Sequence, residues 1–371
     1  MSKTAKVVIG IVVVVLIIVL IVMRQDSTPS NVYRVGSTEA LTGNAAYYGE
    51  SSKKGVDLAL DVATKKYPDL KFEIYHEDNQ FTPKVGIDAY NKLRAEHSID
   101  AIITQTSPVA VAIKPLAEKD GILQMAVSAS ASTYSSVDDL SFRTTGDSMI
   151  ETAVIADLIK SKYSETALIG MNNEIGVSNI IGIEKQLKDR GVSIVSKQMY
   201  PVEATDFRTY ILKLKQDDVN NVYLAGLASH IAVFLKQAEE LAVPLDVLTF
   251  RTGEDPVLIR TAGKLAEKVI FTSGFDPDST DPVIKEFVSL YKDKYSEDPN
   301  TYAAEGYVGA MFVFDSLAKC GKETECIFNY LSELKEYPTA LGPVTFDRAG
   351  DIQISFFLKT VRDGKFVRFE Q

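Results

Sequence analysis

Short apolar runs rich in β-branched residues alternate with amphipathic stretches from Val32 onward. The run "VYRVGSTEA" precedes a stretch whose apolar residues recur at helical spacing, and "KFEIYHED", "DAIITQT" and "GILQMAVSA" are separated by similar stretches. Continuous apolar strands joined by helices are typical of a parallel sheet covered on both faces. The pattern therefore predicts an α/β unit with a parallel sheet.

A second series of the same kind begins after "FRTTGDS". Its predicted strands are "TALIGMN", "VSIVSKQMY", "NNVYLAG" and "LDVLTFR", again separated by helical patterns. Near "VIFTSGF" the pattern changes to three helical segments, and it ends in "GPVTFD" and a terminal hairpin-like stretch. A chain of 371 residues is long enough for two cores. We expect two Rossmann-like α/β lobes with parallel sheets.

The N-terminal segment has a different character. Residues 7–23 form an uncharged apolar run that Lys3 and Lys6 precede. It is longer than a typical signal-peptide core, and no small-residue cleavage site follows it. We interpret it as an uncleaved membrane anchor with a cytoplasmic N-terminus and an exported body, so that the protein is a single-pass membrane protein. Cleavage after the run is the alternative.

The composition limits the classes of partner and of chemical site that the chain can have. The formal net charge is −10, which argues against nucleic acid as a partner. The chain contains no GxxxxGK[ST] loop for ATP, and no cofactor is indicated. Cys320 and Cys326 are the only cysteines. In an exported protein they can form a local disulfide, and in a reducing compartment they would be two thiols. Without further nearby ligands they do not suggest a metal site.

Several candidate site residues follow predicted strands, where ligands of parallel sheets bind. Ser107 precedes Pro108, which predicts a helix N-cap; a cap that faces a cleft can also bind a carboxylate. Ser128 and Ser130 lie in the small-residue run "SASAS", where a ligand can approach the backbone. The plainer alternatives are a purely structural cap and a surface loop.

An acidic residue and two tyrosines complete the candidate set. Glu254 stands before the cap-like pair Asp255-Pro256 and can receive an ammonium group, although a solvated loop position is the usual fate of a glutamate. Tyr48 and Tyr307 are candidates for the cleft or, alternatively, for the core.

From Val32 to its end, the chain resembles the type I periplasmic binding proteins, and among them the leucine/isoleucine/valine-binding proteins of ABC importers. The similarity is carried by "ALTGNAAYYGES", "EDNQFTPKVGIDAYNKL", "GILQMAVSASAS", "FRTTGDS", "DFRTYILKLKQDDVNNVYLAG" and "GPVTFDRAGDI". The resemblance implies two lobes joined by a three-strand hinge. We divide the chain into an anchor and linker (1–31), lobe 1 (32–147 plus 275–340) and lobe 2 (148–274 plus 341–371).

The resemblance also implies roles for the candidate residues. Ser107 would hold a ligand carboxylate, Ser128, Ser130 and Glu254 would hold its ammonium group, and Tyr48 and Tyr307 would line the pocket. The chain departs from the leucine-type pattern at two second-lobe positions, where Ile175 and Leu227 stand in place of tyrosines. The side chain of the preferred ligand therefore cannot be copied from the family.

The function that the resemblance implies is capture of a small, branched-chain or other aliphatic, amino acid for an ABC permease. The alternatives are a sensor protein, and the same fold with an amide, urea or aromatic acid as ligand. An enzyme is disfavoured, because only His76, His97 and His230 are available as imidazole bases and no G-x-S-x-G or H-E-x-x-H motif occurs.

Overall fold

The computed structural model describes residues 31–370. The predicted membrane segment at residues 7–23 lies outside this part of the chain. Between residues 31 and 370 no helix is both long enough and apolar enough to cross a bilayer.

Along the described residues, helices and strands largely alternate over residues 32–273, and three helices and five strands follow, as the hydrophobic pattern predicts. In chain order, the helices are α1 Ala46–Lys66, α2 Pro83–His97, α3 Ser107–Asp120, α4 Ser148–Lys162, α5 Glu174–Asp189, α6 Arg208–Gln216, α7 Ala228–Glu240, α8 Pro256–Ala262, α9 Pro282–Tyr295, α10 Thr301–Cys320 and α11 Thr324–Ser332. The strands are β1 Val32–Glu39, β2 Lys71–Asp78, β3 Ala101–Gln105, β4 Leu123–Val127, β5 Ser141–Arg143, β6 Glu165–Met171, β7 Ser193–Tyr200, β8 Asn221–Ala225, β9 Asp246–Thr249, β10 Val269–Ser273, β11 Tyr337–Thr339, β12 Gly342–Phe346, β13 Ile352–Gln353, β14 Phe357–Arg362 and β15 Lys365–Arg368.

Two parallel sheets organise the two lobes. The first has the order β2-β1-β3-β4-β5, and the second has the order β15-β14-β10-β9-β8-β6-β7. In the second sheet β6 to β10 are parallel, β14 pairs antiparallel with β10, and β15 pairs antiparallel with β14. Each sheet thus contains one doubly wound unit whose strand order reverses beside its first strand. This reversal is where open α/β sheets bind ligands.

The lobes have separate hydrophobic cores. In lobe 1, helices α1, α9, α10 and α11 cover one face of the sheet, and α2 and α3 cover the other. The second core is built on β6 to β10 and their helices. The strands β12 and β13 contribute Val344, Phe346 and Ile352 to the first core. Residues 341–353, which the sequence assigned to lobe 2, therefore pack with lobe 1, because their apolar side chains face that core.

The chain passes between the two sheets three times. The crossings lie between β5 and α4, between β10 and α9, and between β13 and β14. They lie side by side: a Cβ on Gly146 of the first crossing would be 2.9 Å from the Phe356 ring of the third, and a Cβ on Gly274 of the second would be 3.5 Å from the same ring. The three segments therefore form one hinge.

Helices α1 and α10 approach each other closely in lobe 1. A Cβ on Gly55 would lie 2.0 Å from the carbonyl oxygen of Ala303, and one on Gly306 would lie 2.4 Å from that of Ser52. Glycine at both positions permits this backbone contact. Cys320, the last residue of α10, is joined by a disulfide to Cys326 of α11, which agrees with the exported interpretation of the pair.

A buried ionic cluster lies at the carboxyl ends of β1 and β2. His76 Nδ1 lies 3.0 Å from a Glu39 carboxylate oxygen, and its Nε2 lies 3.0 Å from Asp57 Oδ1. Ser37 donates a hydrogen bond to Glu39. Burial disfavours the imidazolium, but the two carboxylates outweigh it and raise the pKa of His76 to about 9.

The raised pKa makes the stability contribution of His76 dependent on pH. Because the folded-state value lies above the unfolded value of about 6.5, this contribution is complete below pH 6.5 and disappears as pH rises through about 9. We expect His76→Gln to lower the free energy of unfolding by about 2–3 kcal/mol at pH 6, since it leaves Glu39 buried without its cation. At pH 10 the difference from the native chain should shrink below about 1 kcal/mol.

Urea titrations of the native chain and of His76→Gln at the two pH values measure this difference. His97→Gln is the control, because His97 stacks on the Tyr75 ring at 3.7 Å rather than between two carboxylates. Equal destabilisation by His76→Gln at pH 6 and pH 10 would contradict the assignment.

Candidate ligand-binding site

The switch points of the two sheets face each other across a cleft. In lobe 1 the loops after β1 and β3 meet there, and in lobe 2 the loops after β6 and β8. A cavity of about 470 Å³ lies between them. Its lining includes Asn44, Ala45, Phe81 and Pro108 from lobe 1 and Asn173, Glu174, Val202 and Leu227 from lobe 2. The chain therefore places a cleft where the predicted topology requires one.

Ser107 lies at the start of α3, but it is not the N-cap. The cap position belongs to Thr106, whose φ is +78° and whose side chain makes no capping hydrogen bond. The Ser107 Oγ instead accepts a hydrogen bond from the Ala131 N–H at 3.2 Å. The predicted cap is thus wrong by one residue. The hydroxyl joins the helix start to the next loop of the site, and it donates no hydrogen bond to any described residue.

The small-residue loop after β4 is buried and has a strained entry. Ser128 adopts φ +54°, and its Oγ donates to a Glu305 carboxylate oxygen at 2.6 Å. Ser130 is completely buried, and its Oγ has no hydrogen-bond partner among the described residues. A buried hydroxyl without a partner is uncommon in folded proteins. Ser130 Oγ is therefore the clearest candidate for a ligand contact in this loop.

Arg143 fixes the geometry of this loop. Its Nη1 donates to the carbonyl oxygens of Ala129 and Ala131 at 3.3 and 3.0 Å. Its Nη2 contacts Asp147 at 2.9 Å, and its Nε lies 2.7 Å from Asp351 Oδ1. Asp147 and Asp351 lie beside the first and third hinge crossings. One fully buried guanidinium thus ties the loop to the hinge.

Tyr48 of lobe 1 connects directly to lobe 2. Its hydroxyl donates to the Thr252 carbonyl oxygen at 3.0 Å and accepts from the Ala228 N–H at 3.1 Å. Burial raises the pKa of this phenol well above its ordinary value. The Tyr302 ring packs 4.8 Å from that of Tyr48, and its hydroxyl donates to the Arg251 carbonyl oxygen at 2.9 Å. Two tyrosines of lobe 1 therefore hold the lobes together.

The second-lobe wall is apolar where the sequence places Ile175 and Leu227. Ile175 is the second residue of α5, whose N-cap is Asn173, and Leu227 directly precedes α7. Both belong to the same buried cluster as Tyr48 and Ala45. Among the predicted contact residues, Leu227 lines the cavity of about 470 Å³, and Tyr48 and Ile175 pack in the same buried cluster as Leu227. Ser107, Ser128 and Ser130 are buried just after β3 and β4 and do not line this cavity.

Glu254 and Tyr307 are placed elsewhere. The Glu254 carboxylate is turned toward its own sheet, where it pairs with Lys359 and accepts from Ser273 Oγ at 3.1 Å. It lines a separate cavity of about 660 Å³ with Tyr47 and Asn300. Tyr307 packs against Phe287 in the first core, with the two ring centroids 4.8 Å apart. Tyr302, five residues earlier on α10, takes the position beside the cleft that was expected for Tyr307.

Three buried charged residues of this region were not predicted from the sequence. Arg251 Nη1 contacts Glu151 at 2.6 Å, and its Nε lies 3.7 Å from Glu305. All three side chains are at most 1% exposed. The available signal was a single glutamate within the otherwise apolar run "YAAEGYVGAMFVF" of α10. A charge on such a helix requires a buried partner.

The histidines do not form a hydrolytic arrangement with a neighbouring hydroxyl. Ser37 donates to Glu39 rather than to His76, and His97 stacks on Tyr75. His230 Nδ1 lies 3.1 Å from the Tyr200 hydroxyl, and burial lowers its pKa to about 4. Both partners of this last pair are buried. The contacts of all three imidazoles are therefore structural.

We expect Arg143→Met to lower the free energy of unfolding by about 3–5 kcal/mol, because it leaves two carboxylates and two carbonyls around an empty position. Arg143→Lys should recover only part of this loss, since one ammonium cannot reach all four groups. Chemical denaturation measures both effects.

Arg348→Met is the matched control, because Arg348 pairs with Asp138 at an exposed site and should contribute no more than about 1 kcal/mol. If Arg143→Met and Arg348→Met destabilise the protein equally, Arg143 does not organise the loop and the hinge.

Comparisons with known proteins agree with this architecture. The family model described as "Periplasmic binding protein" matches residues 32–360. The Leu/Ile/Val-binding protein homolog 2 of Brucella abortus (strain 2308) is 24% identical over 347 residues, which cover 91% of this chain and 93% of that protein.

Two solved structures have similar folds. A leucine-binding protein from Thermotoga maritima superposes with a TM-score of 0.85 at 20% identity, covering 91% of this chain and 98% of that chain. A solute-binding protein of an ABC transporter from Rhodopseudomonas palustris, in complex with 3,4-dihydroxybenzoic acid, gives a TM-score of 0.79 at 20% identity, covering 91% and 96%. Proteins of this fold thus include one solved with an aromatic acid.

Proposed function

This chain belongs to the periplasmic binding protein family, and we propose that it captures a small aliphatic amino acid between its lobes and delivers it to an ABC permease. Membership of this family supports a folded body that lies outside the cytoplasm. The relatives described above are named as binding proteins, and the proposed activity is binding and closure without catalysis.

The observation that carries the proposal is the bond that Tyr48 makes across the cleft. Its hydroxyl satisfies one carbonyl and one N–H of lobe 2, and this requires the lobes to be closed. A ligand that touches both lobes binds the closed form better than the open form, and this difference in affinity shifts the equilibrium. Closure on a ligand is the event that a permease can detect.

The polar end of the cleft supports an amino-acid head group. The start of α3 offers backbone N–H groups and the Ser107 hydroxyl to a carboxylate. Ser128 and Ser130 on the neighbouring loop provide carbonyl and hydroxyl oxygens for an ammonium group. We propose these three serines as head-group contacts.

The apolar end supports an aliphatic side chain. Ile175, Leu227 and the Tyr48 ring are buried in one cluster at the cleft. Burial of a leucine-sized side chain against such a wall contributes roughly 1.5–3 kcal/mol. The names of the relatives, which specify leucine, isoleucine and valine, agree with this chemistry.

Residues 7–23 are proposed to tether the protein to the membrane beside its permease. The run is apolar and uncharged over 17 residues, which is close to the length that spans a bilayer as a helix. A tether raises the effective concentration of the binding protein at its partner.

A thermal-shift screen of the full chain in mild detergent tests the ligand class. We expect leucine, isoleucine or valine to stabilise the protein, by about 2.7 kcal/mol at a hundredfold excess over the dissociation constant. Amides, urea and benzoic acids form the comparison panel. Stabilisation by benzoic acids alone would contradict the amino-acid assignment and favour the ligand class of the Rhodopseudomonas protein.

We expect Tyr48→Phe to weaken binding of the identified ligand about tenfold, because closure then buries the Ala228 N–H and the Thr252 carbonyl without their shared partner. Calorimetric titration gives the affinity, and small-angle X-ray scattering shows whether the ligand still compacts the protein.

Tyr47→Phe is the matched control for this substitution. The Tyr47 hydroxyl accepts a hydrogen bond from Asn300 of its own lobe. Its removal should therefore leave the affinity within about twofold of the native value. Equal affinities for the two variants would show that the Tyr48 bridge does not contribute to closure.

A further inference from the structure

Three buried carboxylates lie near the interlobe surface, and they differ in how well they are paired. Glu151 is fully engaged: one oxygen accepts from the Arg251 backbone N–H at 3.1 Å and from Thr272 Oγ1 at 2.5 Å, and the other contacts Arg251 Nη1 at 2.6 Å. Glu254 has Lys359 on one oxygen and the Ser273 hydroxyl on the other. Each of these two carboxylates therefore has a cation in direct contact.

Glu305 is the exception. It is 1% exposed, and one oxygen accepts from the Ser128 hydroxyl at 2.6 Å. The other oxygen has Arg251 Nε at 3.7 Å, which is too far for a hydrogen bond. Arg251 Nε itself has no hydrogen-bond partner among the described residues. One Glu305 carboxylate oxygen and Arg251 Nε therefore face each other without forming a hydrogen bond.

The charges around Glu305 do not balance. Arg251 is the one guanidinium between Glu151 and Glu305, and its direct contact is with Glu151. Burial raises the pKa of Glu305 above its ordinary value, and the Arg251 charge and the Ser128 and Thr145 hydroxyls offset this effect only in part. A buried charge without a partner costs several kcal/mol. A cation that reaches the free side of Glu305 would remove this cost.

The surroundings of Glu305 belong to the proposed head-group site. Its hydrogen-bond partner Ser128 begins the loop whose Ala131 N–H is bonded to Ser107 Oγ. On α10 it lies about one turn beyond Tyr302, which packs against Tyr48. The carboxylate is thus linked by contacts to both the predicted carboxylate-binding serine and the tyrosine that closes the cleft.

We propose that Glu305, and not Glu254, receives the ammonium group of the ligand, with Arg251 as a positioning residue. This inference rests on the proposed function, since it assigns one contact of the same site. Ser107 and the start of α3 bind the α-carboxylate, and Glu305 binds the α-ammonium on the other side of the Ser128 loop. Arg251, fixed by Glu151, holds Glu305 in place and leaves one face of its carboxylate for the ligand.

Calorimetric titration of the full chain with leucine and with 4-methylpentanoic acid, which lacks the ammonium group, tests the assignment. The native protein should prefer leucine. Glu305→Gln should weaken leucine binding at least tenfold and change 4-methylpentanoic acid binding less than threefold, so that the preference collapses. Glu254→Gln is the matched control: it should lower the melting temperature through loss of the Lys359 pair and retain the preference for leucine.

The outcomes separate the inference from the function on which it rests. If the native protein binds leucine and Glu305→Gln keeps the native preference, the proposed function stands and the role of Glu305 is refuted. If the native protein binds no amino acid, both fail. Should Glu305→Gln not fold, a crystal structure of the native protein with leucine decides: an ammonium nitrogen within about 3.2 Å of the Glu305 carboxylate supports the inference, and one bound at Glu254 overturns it.

Discussion

One guanidinium shared between two carboxylates is the interaction on which the interlobe surface depends. Arg251 and Glu151 come from lobe 2, and Glu305 comes from lobe 1. Separation of the lobes would return these groups to water, and closure removes them from it. Because desolvation of charges is costly unless they are well paired, the lobes close favourably only when partners are supplied. At the same surface the Tyr48 and Tyr302 hydroxyls satisfy backbone groups of lobe 2, and the proposed ligand would supply the counterion that Glu305 lacks.

The architecture followed from the hydrophobic pattern because the central strands β3, β4 and β8 are buried on both faces. Runs such as "DAIITQT" and "NNVYLAG" read as continuous apolar segments, and the helices between them show a clear period. The loops after β1, β3, β6 and β8 were therefore foreseeable as the ligand edge, since topology alone fixes where strand order reverses. The short strand β5 was not predicted, because three residues carry too little pattern, whereas the cap-like pair Asp255-Pro256 does lie at the start of helix α8, where Asp255 is the N-cap.

The direction of individual side chains was less predictable. Tyr302 and Tyr307 lie five residues apart, which separates them by about 140° around the helix, so that only one can face the cleft. Glu254 occupies the expected loop, but its carboxylate pairs with Lys359, which lies 105 residues later in the chain, and not with a group of the cleft. Such a long-range pair leaves no trace in the local sequence. The sequence showed that Glu305 is a charged residue on an apolar helix, but it did not indicate that Arg251 is its partner.

The ring of Phe356 lies against glycines of both other crossings, and this limits how the lobes can move. A methyl group at Gly146 would meet the ring at 2.9 Å, so there is no room for the three segments to slide past one another. The lobes can still rotate about this contact, because small φ and ψ changes in connecting residues leave the ring in place. The Phe356 ring is therefore a fixed point about which the two lobes can turn. A larger side chain at Gly146 would push the first crossing away from the third and change the angle at which the two lobes meet.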